Sequence, residues 1–329
     1  MARLPGEFEL IRRYFAPLAA RAPGALGLQD DVCTILPAPG EELVLTVDAL
    51  TAGVHFLPDD PPDLIARKML RVNLSDLAGK GARPLGYLMT TAFDPATDEA
   101  WVARFCQGLA QDQAEFGLAL LGGDTTATPG PLSLTATLIG TVPAGRALRR
   151  NGARPGDRIL VTGTIGDGYF GLGASRNELG HLSFEHLDFL ARRYRLPEPR
   201  VAFGRALVEQ GLGRAGMDVS DGLVADLRHM CEASGCGARV ATPKVPLSAA
   251  VAELLAETPD LLLAAISGGD DYEVLIAAPA EQVPTILDLA AQTATQVTEI
   301  GVFTMGQDVL FEDADNHPVN LPKAGFTHF

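Results

Sequence analysis

Four short apolar runs in the first half of the chain predict strands: 42–50 (ELVLTVDAL), 84–93 (PLGYLMTTAF), 118–126 (LALLGGDTT) and 132–143 (LSLTATLIGTVP). Each is bounded by Gly, Pro or Asp. Between them lie helical spacings. Residues 7–19 set Phe8, Leu10, Ile11, Phe15 and Leu18 among charges, 63–82 closes at Gly81 and Pro84, and 98–117 ends at Gly117. Residues 145–159 (GRALRRNGARPGDRI) break the pattern, being basic, glycine-rich and poor in apolar positions, and predict a domain boundary near residue 150. Beyond it come a strand at 159–163, helices to about 230, a strand at 238–242 and a helix near 248–257. A turn and strand follow at 264–278, then a helix over 280–293 and short strands. Strands and helices alternate in both halves, so the class is α/β or α+β. No fixed-period repeat is present.

Composition narrows this. A chain of 329 residues with 47% hydrophobic residues forms one large domain or two of ordinary size, with a sizeable core. A net charge of −15 argues against nucleic-acid and anionic-membrane partners. It leaves room for phosphate ligands, because divalent metals invert the local field. Cys33, Cys106, Cys231 and Cys236 make no C-x-x-C pair and are expected as free thiols in a cytoplasmic protein. The N-terminus has no signal-peptide core, and no run of about 18 apolar residues predicts a membrane span.

The chemistry lies in acidic turns beside Gly, Ser or Thr: Asp30 and Asp31 in LQDDVCTIL, Asp48 and His55 in VLTVDALTAGVHF, Asp76 in NLSDLAGKGA and Asp124 in LLGGDTT. Further along, Asp218, Asp221 and Asp226 fall in MDVSDGLVADL, and Asp270, Asp271 and Glu273 in SGGDDYEVL. Strand-end carboxylates brought together make a hard-oxygen site that suits Mg²⁺. Taken singly, NLSD and DVSD also read as helix caps and the others as turn formers. Repetition of the acidic, small-flanked turn favours a ligand site.

Two glycine-rich stretches mislead. GDGYFG (166–171) matches G-x-G-x-x-G after a strand, but a lone match among 35 glycines reads better as a tight turn with close helix packing. GKGARP (79–84) lacks the rest of a Walker loop. His55, alone on an apolar segment, reads as structural, and no G-x-S-x-G elbow is present.

In order, GEFELI, DDVCTIL, VDALTAGVHF, RKMLRVNLSDLAGKGARP, GGDTT, RNGARPGD, VTGTIGDGYFGL, MDVSDGLVADL, SGGDDYEVL and GFTHF span nearly the whole chain. The set resembles the thiamine-monophosphate kinase family of the aminoimidazole-ribonucleotide-synthetase-like superfamily. The resemblance implies a two-domain α/β (α+β) fold. A mixed-sheet domain over 1–147 would bind ATP and Mg²⁺ and form a homodimer interface, and an α/β domain over 148–329 would complete the active site. It implies a cytoplasmic enzyme that transfers the γ-phosphoryl group of ATP directly, in line, onto thiamine monophosphate, with several Mg²⁺ ions and no covalent nucleophile. By motif, the metal ligands are Asp31, Thr46, Asp48, Asp76, Asp124, Asp218 and Asp221. Gly123, Asp124, Arg150 and Ser220 fall at nucleotide positions, and His55 and Asp270 at substrate positions. Phe326 is expected to stack on the substrate ring. Asp226, outside the matched positions, is expected to be a solvated helix residue. Gln29 stands where a glycine is usual, Asp270 where glutamate is common, and Lys323 where an aromatic often precedes the tail. Two other readings are another enzyme of the same superfamily and a non-catalytic nucleotide- or metal-binding module.

Overall fold

The computed structural model describes residues 4–180 and 182–321. The chain divides into two compact units, Met1–Leu77 with Ala82–Gly145, and Ala78–Gly81 with Arg146–Phe329.

In the first unit, α1 (Glu7–Leu10) and α2 (Ala16–Ala19) flank a π-helical turn at Ile11–Phe15. Leu10, Phe15 and Leu18 are buried, whereas Phe8 is 83% exposed, so the expected apolar face is shorter by one position. Then follow β1 (Glu41–Thr51), α3 (Pro62–Lys80), β2 (Arg83–Phe93), α4 (Glu99–Phe116), β3 (Ala119–Ala127) and β4 (Ser133–Pro143). The sheet order is β1-β4-β2-β3. It is mixed: β2 and β3 pair in parallel, the other pairs are antiparallel. Parallel neighbours need a crossover, and α4 supplies it. Asp98 starts α4 by accepting from the Trp101 amide (2.8 Å), and Gly117 ends it in a left-handed conformation.

Helix α3 is buried on nearly every side. Its polar residues are answered individually. Lys68 Nζ donates to the His55 carbonyl (2.9 Å), and Arg71 grips the buried Asp112 of α4 with Nε and Nη2 (2.8 and 3.1 Å). The NLSD motif therefore lies inside a helix and caps nothing.

The second unit contains β5 (Arg158–Thr162), α5 (Asp167–Ser175), α6 (Phe184–Arg195), α7 (Val201–Glu209), β6 (Ala215–Val219), α8 (Leu223–Ser234), β7 (Gly237–Ala241), α9 (Ala249–Glu257), α10 (Leu261–Ser267), β8 (Glu273–Ala278), α11 (Val283–Gln292), β9 (Val297–Thr304) and β10 (Val309–Glu312). Its sheet order is β10-β7-β9-β5-β8-β6, antiparallel except for β10 with β7. Alternation along the central strands feeds two cores. Ile159, Val161, Leu275 and Ala277 point to one, Leu160, Val274, Ile276 and Ala278 to the other. No described helix is long and apolar enough to cross a membrane, and all four cysteines are free.

Candidate active site

In the first unit, period-two alternation turns Val44, Thr46, Asp48 and Leu50 to one face of β1 and Leu43, Leu45, Val47 and Ala49, all exposed, to the other. Asp76, about one turn before the end of α3, meets the first set: Thr46 Oγ1 donates a hydrogen bond to Asp76 Oδ2. Burial, and then the charge of Asp76, push the Asp48 carboxyl up to about 6. Two carboxylates and a hydroxyl so gathered are a hard-oxygen donor set that fits Mg²⁺. Crowded anions raise one another, and a bound cation reverses that effect.

Asp124 lies on β3, opposite Thr90, with its side chain exposed. Gly123 beside it faces Met89, whose own antiparallel partner on β4 is Ala136, the partner of Asp48 on β1. Asp48 and Gly123 thus occupy one row across the sheet. A Cβ at Gly123 would sit 1.8 Å from the Met89 carbonyl oxygen, so only glycine fits. Asp31 is exposed on the loop before β1. His55 is half-buried after β1. Its Nδ1 accepts from the Thr51 amide (3.0 Å), which places the ring proton on Nε2 in the neutral form.

In the second unit, Ala215, Met217 and Val219 of β6 enter one core, so Asp218 points to the opposite face, only 5% exposed. The chain then turns through Ser220, Asp221 and Gly222 into α8. Gly222 stands at the N-cap with no side-chain hydrogen bond, so the DVSD motif does not cap the helix with Ser or Asp. Asp226 holds the turn instead: its Oδ2 accepts from the Ser220 and Asp221 amides (3.0 Å each). Burial, then the Asp221 charge, push its carboxyl up to about 7, while the two amides and Arg150 pull the other way. Asp226 is therefore a buried brace for the Ser220–Asp221 turn, and the expectation of a solvated residue is corrected. The available signal was a carboxylate in the first helical turn, five and six residues after the amides it receives. Arg150 is exposed; its carbonyl accepts from Ser234 Oγ (2.9 Å).

The segment 268–272 packs on the same turn. The Asp270 amide donates to the Ser220 carbonyl (2.9 Å) and the Tyr272 amide to the Val219 carbonyl (2.8 Å). Asp270 and Tyr272 both adopt left-handed backbone (φ 71° and 52°), uncommon for non-glycine residues. Beneath them, Asp271 accepts from the Gly166 and Gly168 amides at the start of α5 (2.8 and 2.9 Å), and burial pushes its carboxyl well up. The GDGYFG turn thus opens a helix after a strand, but its amides already serve a carboxylate of the same chain. A pyrophosphate has no claim on them. Glu273, fully buried, accepts from Thr162 Oγ1 (2.6 Å), Arg193 Nη2 (2.8 Å) and Arg200 Nε (2.7 Å). Sequence reasoning did not single out this network; the charge at Glu273 inside an apolar strand was the available signal. Phe326 lies outside the described residues.

Of the residues singled out in the sequence, the fold thus groups Thr46, Asp48 and Asp76 in the first unit, and Ser220, Asp221 and Asp270 in the second. Carboxylates framed by small residues on a two-unit α/β scaffold define the class of protein, and family models agree. The AIR synthase related N-terminal domain matches residues 29–142 and the corresponding C-terminal domain residues 154–312. A thiamine-monophosphate kinase of Caulobacter vibrioides is 43% identical over 93% of this chain and 86% of its own. The solved thiamine-monophosphate kinase of Stenotrophomonas maltophilia K279a is 38% identical, with a TM-score of 0.84 over 95% of this chain and 98% of that one. The structure of AaThiL complexed with AMPPCP and TMP is 28% identical, with a TM-score of 0.77 over 98% and 97%. The chain belongs to the thiamine-monophosphate kinase family, and it is a phosphotransferase.

Proposed function

We propose that this enzyme phosphorylates thiamine monophosphate to thiamine diphosphate with ATP, by direct in-line transfer of the γ-phosphoryl group. The Thr46, Asp48 and Asp76 cluster carries the reading: two carboxylates and a hydroxyl gathered together, with the Asp48 carboxyl held above its usual range, suit a cation-dependent reaction between two anions. The names of the relatives, and AaThiL complexed with AMPPCP and TMP, support the choice of substrates. Asp31, Thr46, Asp48, Asp76 and Asp124 in the first unit, and Asp218 and Asp221 in the second, are the proposed Mg²⁺ ligands. When bound, Mg²⁺ neutralises phosphate charge and orients the reacting oxygens. Gly123 gives the nucleotide close backbone approach, Ser220 and Asp124 contact it, and Arg150 supplies a guanidinium for its phosphates. His55, in its neutral Nε2–H form, and Asp270 contact thiamine monophosphate, and Phe326 is proposed as a further substrate residue. The site of action is the cytoplasm, in keeping with four free thiols.

Purified protein with ATP, Mg²⁺ and thiamine monophosphate is expected to yield thiamine diphosphate, with double-reciprocal plots that intersect. Absence of that product defeats the substrate assignment. Parallel plots, or a labelled phosphoryl-enzyme trapped from ATP alone, defeat direct transfer.

The first unit is proposed to form a homodimer. Strand β1 is a sheet edge that exposes Leu43, Leu45 and Val47 (38%, 60% and 59%) in a row, an apolar surface of the kind that marks an interface. Light scattering behind size exclusion at micromolar concentration is expected to give twice the chain mass; a monomer there defeats the proposal.

A further inference from the structure

Tyr169 stands in the first turn of α5 and is 46% exposed, while its neighbour Phe170 is buried beneath it, edge-to-face at 5.2 Å. Large aromatic side chains at helix starts usually turn inward, and here the next residue does. What sets Tyr169 apart is its seat. A Cβ at Gly268 would lie 2.5 Å from both Cβ and Cγ of Tyr169, so glycine there makes room for this ring. One residue earlier, a Cβ at Gly168 would lie 2.2 Å from the Asp270 carbonyl oxygen. The first turn of α5 therefore rests directly on residues 268–270. The half-exposed ring packs on Gly268, two residues before Asp270, whose left-handed backbone is the kind of local cost that persists at functional positions. Tyr272 Oη donates to Asp270 Oδ1 (3.1 Å), which fixes the side chain.

An electron-rich ring face selects for positive charge on a flat ligand, and a carboxylate two residues from its seat adds to that preference. It repels phosphate, and adenine, being neutral, gains little from it. Thiamine monophosphate carries such a group, the N-alkylated thiazolium. We propose that Tyr169 is a substrate-recognising residue whose open face receives the thiazolium ring while the Asp270 carboxylate stands beside it. This rests on the substrate assignment above and adds to it a residue that the motif resemblance does not supply. The contribution belongs to the ring face and not to the hydroxyl, so phenylalanine serves as well as tyrosine and leucine does not.

Calorimetric titration in the absence of ATP tests this apart from turnover, using thiamine monophosphate, unphosphorylated thiamine and the neutral-ring 4-methyl-5-(2-phosphoethyl)thiazole. Tyr169→Ala is expected to weaken binding of both thiazolium ligands about tenfold, a loss of about 1.4 kcal/mol. The neutral thiazole should change less than twofold. Tyr169→Phe should stay within twofold of wild type and Tyr169→Leu should resemble the alanine variant. The KM for ATP should not move. If wild type makes thiamine diphosphate but Tyr169→Ala binds every ligand normally, the role of Tyr169 is overturned and the kinase reading stands. If Tyr169→Ala weakens neutral and cationic ligands alike and lowers the melting temperature, the residue only props the 268–272 segment and the proposal fails. If wild type binds the thiazolium ligands through Tyr169 but does not phosphorylate thiamine monophosphate, the kinase reading fails alone. Absence of thiazolium binding by wild type overturns the proposal outright.

Discussion

Asp124→Asn is expected to lower turnover about 100-fold or more, with the melting temperature within about 2 °C of wild type. The asymmetry follows from its place. Asp124 is an exposed residue on β3 next to a glycine that allows no side chain, so it supports no core contact. A neutral amide is a much poorer Mg²⁺ ligand than a carboxylate. Asparagine forms turns and caps about as well as aspartate, so a purely structural Asp124 would tolerate the change. Raising Mg²⁺ should recover part of the lost rate, since the defect is one of metal affinity. Near-wild-type turnover at limiting Mg²⁺ would remove Asp124 from the set of ligands. Steady-state kinetics across a Mg²⁺ series, with a melting curve for each protein, decides the matter.

The second large effect is on stability. Glu273 is fully buried and faces two guanidinium groups, Arg193 and Arg200, whose side chains are 8% and 16% exposed. Glu273→Ala leaves both cations without this partner in a poorly solvated place, which costs about 3–5 kcal/mol. For a unit of this size that corresponds to a fall of about 6–20 °C in melting temperature. Thr162 loses its acceptor as well, although its hydroxyl still accepts from the Val274 amide (2.7 Å). Glu273→Gln keeps the volume and one acceptor oxygen and should fall between the two. A melting temperature for Glu273→Ala within about 2 °C of wild type would show that water replaces the carboxylate at little cost. Because Glu273 immediately follows the 268–272 segment, the alanine variant should also lose affinity for thiamine monophosphate ahead of affinity for ATP.

Much of the fold was legible one residue at a time. β1, β2 and β4 begin and end within a residue or so of the apolar runs that announced them, because Gly, Pro and Asp punctuate the chain wherever a strand stops. α4 was legible from Asp98 at its start and Gly117 at its end. α10 was not: Leu261–Ser267 is a short apolar run with little polar alternation, and such a run reads as buried strand or helix equally well. The motifs NLSD and DVSD carried cap-forming residues, yet α3 continues through the first and Gly222 caps after the second. Capping propensity is a local preference of about 1 kcal/mol, and a helix buried on nearly every side overrides it.

By itself the sequence determined the class of fold, the succession of acidic turns framed by small residues, and the family. These depend on residue identity and spacing, and spacing survives without coordinates. Only the tertiary structure decided what each carboxylate does. Asp48 and Asp76 lie on different elements, 28 positions apart, and become neighbours because strand alternation and a buried helix face each other. Asp226 and Asp271 look in sequence like further members of the same acidic turns. Each instead accepts from backbone amides, of Ser220 and Asp221 in one case and of Gly166 and Gly168 in the other. The physical reason is the cost of burying a charge. A carboxylate in a core must find donors, and whether those donors are amides, guanidinium groups or a metal ion depends on what the fold brings within about 3 Å of it.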